Sequence, residues 1–196
     1  MNFDKWRCYL RARLLEIVGN AEGAIEAYRG ALRHDPAFYA AAVAIAFRSA
    51  ALGRDEEAID AYEQALHIRP GDCDAHYNLG YVLARRGRQA QAIEHFRAAT
   101  GLNAHHDLAW YGMGHAHATL GDHRSAMEAF ERAAKLQPMG SPSWYQLGMA
   151  CHHACEPKRL REVIQHLNRF DPKMARRLIL ETGTTDLAHL VKDLVV

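Results

Sequence analysis

The chain has no excess of either charge, no long apolar run and no cysteine framework, and each absence removes a class of function. Lys plus Arg number 24 against 23 Asp plus Glu, with both signs spread along the whole length. A basic track of the kind that holds nucleic acid is missing, so nucleic acid is not an expected partner. The longest apolar stretch, Ala37 to Phe47, is mostly alanine and far short of a bilayer span, so no membrane insertion is expected. The first residues, Met1-Asn2-Phe3-Asp4-Lys5, carry charge where a secretory signal needs apolar side chains, and the expected location is cytoplasmic. Cys8, Cys73, Cys151 and Cys155 lack framework spacing, as suits reduced thiols. P-loop, dinucleotide-turn, nucleophile-elbow and His-Glu-x-x-His patterns are also missing, so neither catalysis nor a cofactor is expected.

What the chain does have is a period. Proline recurs at Pro36, Pro70, Pro138 and Pro172, with Ala104 in the remaining slot, and glycine at Gly19, Gly53, Gly87 and Gly121. An alanine followed four residues later by an aromatic recurs as Ala24/Tyr28, Ala58/Tyr62, Ala92/Phe96 and Ala126/Phe130. Trp110-x-x-Met113-Gly114 and Trp144-x-x-Leu147-Gly148 repeat a further pattern, with His76-x-x-Leu79-Gly80 as a weaker copy. All these series run in one register. Each unit has apolar residues at three- and four-residue spacing, a glycine that suits a left-handed helix end, and a proline that stops the second helix.

These residues closely resemble the tetratricopeptide repeat family over residues 5–174, in five repeats: 5–38, 39–72, 73–106, 107–140 and 141–174. The resemblance implies an all-α fold, a right-handed superhelical solenoid of antiparallel helix pairs, with capping helices over 175–196. Ser141-Pro142 reads as an N-cap with a first-turn proline, and Asp107 as the cap of the fourth repeat. In the fifth repeat Cys155 replaces the turn glycine, and Leu160 and Ile164 replace the alanine and aromatic. Two short helices are expected after Pro172, over 174–181 and 186–195. Their apolar residues, Leu178, Ile179, Leu187, Leu190, Val191 and Leu194, suit a cap over the end of the core. Self-association through the same helices is the other reading.

The resemblance also implies that a ligand lies on the concave face, against the first helix of each repeat. Carried onto this chain, that face holds Tyr9, Arg13, Phe47, Tyr77, Asn78, Tyr81, Tyr111, His115, Tyr145, Met149 and His152. Tyrosine joins a large contact area to few rotatable bonds and a polar hydroxyl. Ordinary core packing would account for such a ladder, but Tyr28, Tyr62, Phe96 and Phe130 on the second helices already fill that role. The expected function is therefore a scaffold or adaptor for a partner peptide or helix. The family's carboxylate clamp is not matched, since Asn78 alone fits it. The alternative is a metal- or redox-responsive protein using Cys151-His152-His153-Ala154-Cys155. Its ligand set is incomplete and Cys151 falls on the inner side of its helix, so no metal site is expected. His115 and His152, one repeat apart, would make binding sensitive to pH.

Overall fold

The computed structural model describes residues 3–191. Its contacts divide the chain into two units, Met1–Leu102 and Asn103–Val196, each built from paired helices. In unit one the pairs are α1 (Phe3–Ile17) with α2 (Ala21–His34), α3 (Tyr39–Ala51) with α4 (Asp55–Ile68), and α5 (Cys73–Arg85) with α6 (Gln89–Leu102). Unit two holds α7 (Asp107–Thr119) with α8 (His123–Leu136), α9 (Ser141–His153) with α10 (Pro157–Asn168), then α11 (Pro172–Thr182). No strand occurs among the described residues. The fold is all-α, a tandem of helical hairpins.

The recurring residues each have a physical task. Gly19, Gly53, Gly87 and Gly121 turn the chain inside each hairpin with φ of 76°, 74°, 77° and 79°. That conformation costs an L side chain about 1–2 kcal/mol, which glycine avoids. Cys155 occupies the same slot in the fifth pair and accepts φ 58°. Tyr28, Tyr62, Phe96 and Phe130 are buried, and the first helix must come close to reach them. A Cβ at Gly114 would lie 2.7 Å from the Phe130 ring. The indole N–H groups of Trp110 and Trp144 donate to the carbonyls of Ala104 and Pro138, at 3.0 and 2.9 Å. His76 Nε2 stands 3.0 Å from the Pro70 carbonyl in the equivalent place, so this series ties α5, α7 and α9 each to the turn before it.

Several local expectations are corrected. The cap of α7 is His106, whose Nδ1 accepts the Ala109 N–H at 3.2 Å, while Asp107 is the first helical residue and accepts the Gln137 amide. Ser141 likewise opens α9, the cap position being Gly140, with Pro142 in the first turn. Where the second C-terminal helix is expected, the described part, Thr185–Val191, is a 3-10 helix, and residues 192–195 lie outside the described residues. Leu178, Ile179 and Leu187 are buried and Leu190 packs at the edge of the same core. Leu194 and the side chain of Val191 lie outside the described residues.

Candidate functional site

In unit one the expected binding residues divide into packed and exposed sets. Tyr9 is half-buried, its ring 5.4 Å from Tyr28 and 5.2 Å from Phe38. Tyr77 is half-buried against Phe96 at 6.1 Å. The tyrosine ladder is thus not separate from the second-helix aromatics. It leans on them, and only part of each ring faces outward.

Phe47 and Tyr81 differ, being 54% and 53% exposed. Each carries an arginine over its ring, with the Arg48 guanidinium 5.6 Å from the Phe47 centroid and that of Arg85 5.7 Å from Tyr81. Together with Asn78, Ala51 and Val82 they line a cleft of about 200 Å³, with buried Tyr62 at its base. Arg85 is fixed there by Asp55 and by the Ala50 carbonyl at 3.0 Å. Arg13 bonds Glu16 at 2.9 Å, and Glu16 also receives Arg48 at 2.8 Å. The rim of this face is therefore formed by arginines held in place, rather than by free cations. Trp6, Leu10 and Ile17 stand exposed on the α1 side of it. They occupy the second, sixth and thirteenth positions of the first repeat, and reading all the groove positions of that repeat would have found them.

In unit two Tyr111 is half-buried, 5.7 Å from Phe130 and 4.6 Å from His115. Burial raises the Tyr111 phenol pKa; His115 is exposed on its outer side, and partial desolvation where its ring packs 5.1 Å from Phe130 lowers its pKa. Met149 packs at the edge of the core, while His152 is exposed with its ring 5.3 Å from His153. Tyr145 departs from expectation. It is 8% exposed, its hydroxyl donates to Glu181, and the Arg177 guanidinium lies 4.9 Å over its ring. Helix α11 covers it, so Tyr145 is a packing residue and not part of an open wall.

Cys151 and Cys155, the cysteines of the metal- or redox-responsive alternative, do not share a helical face. Cys151 is buried, and burial pushes its thiol pKa up to about 11. Cys155 lies beyond the end of α9 in the left-handed turn and is exposed. The turn removes Cys155 from the helical face on which four-residue spacing would pair it with Cys151.

Profiles of the tetratricopeptide repeat match residues 50–87, 74–106 and 107–139. No curated protein sequence matches the chain. Among solved structures it is similar to a MamA protein at 19% identity, covering 100% of this chain and 99% of that one with a TM-score of 0.80. A structure described as YrrB, a repeat protein of this kind with an unusual peptide-binding site, aligns at 22% identity over 90% of each chain, with a TM-score of 0.77. PilF of Pseudomonas aeruginosa aligns at 18% identity over 95% of this chain and 87% of its own, with a TM-score of 0.69. At these identities the likeness is one of fold.

Proposed function

The chain belongs to the tetratricopeptide repeat family, and on that premise we propose that it is a protein–protein interaction scaffold holding a partner segment against the first helices of its hairpins. The observation that carries this reading is the pair Phe47 and Tyr81, two large rings standing half in solvent around the Asn78 cleft. Exposed apolar surface bordered by polar groups marks interaction sites, and aromatic anchors beside arginine supply much of the binding energy at such sites. The rings suit an apolar side chain of the partner, and the Asn78 amide suits the N–H and C=O of its backbone. The peptide-binding site named for YrrB supports the same use of this fold. Tyr111, His115, Met149 and His152 offer a second such face in unit two. Both faces are open to water, which favours binding over chemistry that needs a closed site.

The test is capture of partners from the native host by the wild-type chain and by a Phe47→Ala/Tyr81→Ala variant of verified helicity. A partner that the variant loses, or binds more weakly by about tenfold or more, supports the reading. Equal capture by both proteins would remove the Phe47–Tyr81 cleft from consideration.

A further inference from the structure

Unit one exposes a second apolar surface, the outward crest of α1. Phe3, Leu10, Leu14 and Ile17 fall within an arc of about 60° on the helix, opposite buried Ala12. Ile17 is 81% exposed and Leu14 64%. Leu10 and Ile17 fall on groove positions of the first repeat, whereas Phe3 and Leu14 do not. Arginines follow the crest on both sides, Arg7 and Arg11 along one border and Arg13 along the other. The acidic groups nearby are engaged: Asp4 with Arg7 at 3.4 Å, Glu16 with Arg13 and Arg48, and Asp35 with Lys5 at 2.5 Å. On α2, Glu22 is held by Arg54, and Glu26 by Arg29 and Arg33.

The internal repeats help decide what covers such a surface. Val82, at the α5 position equivalent to Leu14, is 1% exposed, and its neighbours Ala75 and Leu79 are buried with it. On α1 those two neighbours are Arg7 and Arg11. A helix stacked there as within the array would take both guanidiniums out of water against apolar side chains, at a cost of several kcal/mol. A second copy placed crest to crest would set arginines against arginines. A phospholipid surface meets neither objection. It accepts a convex row of apolar side chains to a depth of about 5–10 Å, and it offers phosphates to Arg7 and Arg11 along one border, Arg13 on the other being held by Glu16. Phe3 and Trp6 suit the level of the headgroups.

We propose that the crest of α1 seats this protein on an anionic membrane surface, with α1 lying in the plane of the interface. The contact is peripheral: among the described residues no helix is long and apolar enough to cross a membrane. The charge balance of the whole chain hides it, because the arginines count only in relation to this one row. The crest shares Leu10 and Ile17 with the groove positions of the first repeat, whereas Phe3, Leu14, Arg7 and Arg11 belong to the crest alone and are the residues the test substitutes.

The test is flotation of the full chain with vesicles of phosphatidylcholine alone and with vesicles containing about one third phosphatidylglycerol. The chain should float with the anionic vesicles only, and raised salt should release it. A Phe3→Glu/Leu14→Glu variant that keeps its helicity should stay unbound, and Arg7→Gln/Arg11→Gln should bind about tenfold more weakly. The Phe47→Ala/Tyr81→Ala variant should float like the wild type. Failure of the wild-type chain to float with anionic vesicles overturns the proposal, as does undiminished flotation of the Phe3→Glu/Leu14→Glu variant. Cross-linking of the crest to an acidic protein helix, in a chain that ignores the vesicles, would assign the surface to that partner instead.

Discussion

His95 lies between α5 and α6 with its Nδ1 3.0 Å from Nδ1 of His76. The Nε2 of His76 faces the Pro70 carbonyl, so its N–H points there, which leaves its Nδ1 to accept the His95 N–H when the ring carries one proton. Burial lowers the His95 pKa below the ordinary 6.5, and the facing His76 lowers it further. An unfolded chain, with His95 at its ordinary value, therefore takes up the proton first. The stability that depends on a neutral His95 is present above pH 6.5 and is lost as pH falls from there toward the folded-state pKa. The denaturation midpoint should fall between about pH 7 and about pH 5, and a His95→Gln variant should lose less over that interval. An equal loss in both proteins would place the acid sensitivity elsewhere, with His115 as the next group to substitute. Nothing in the sequence paired His76 with His95, which are nineteen positions apart on different helices. The turn glycines were legible because φ is a local property. The same register marked Cys155 as the residue in a glycine slot. Tyr145 was misread because Glu181, thirty-six positions away, is what covers it.

At the scale of the helix, periodicity located the pairs and the chain itself set their ends. Asp72 and Asp122 cap α5 and α8 by accepting the Ala75 and Ser125 N–H groups, as residues before a helix ordinarily do. His106 does the same work with a ring nitrogen, a cap that no composition rule would select. The fifth pair departs most from the others. Gly80 and Gly114 face an aromatic from their own hairpin, whereas Gly148 faces Leu178 of α11. Ile164, which replaces the aromatic in α10, is buried but leaves that place to α11. Helix α11 packs on both α9 and α10 and so completes the hairpin as well as closing it. Leu178→Ala should cost about 2–4 kcal/mol, measured by denaturant unfolding, because its side chain is fully buried and its neighbours are helices that relax little. A change below about 1 kcal/mol would mean that α11 is dispensable to the fifth pair.

Across the whole molecule, the described contacts within each unit join helices that are close in sequence. Stability in such an array is a sum over hairpins and the surfaces between neighbours, so a perturbation weakens with distance along the chain. Charge pairs between successive hairpins follow the same rule: Arg29 with Glu57, Arg88 with Glu56 and Arg159 with Glu131 each bridge adjacent second-helix regions. Exposed pairs of this kind contribute about 0–1 kcal/mol each, too little to make distant repeats unfold as one. Amide exchange should therefore report locality. In the Leu178→Ala protein, α9, α10 and α11 should exchange faster, by roughly the factor that the lost stability implies, while α1 to α4 keep their wild-type protection. Equal acceleration in every helix would mean that the chain opens as a single cooperative body. In that case the binding faces of the two units would be coupled, and a ligand on the Phe47–Tyr81 cleft would protect α9 as strongly as α3.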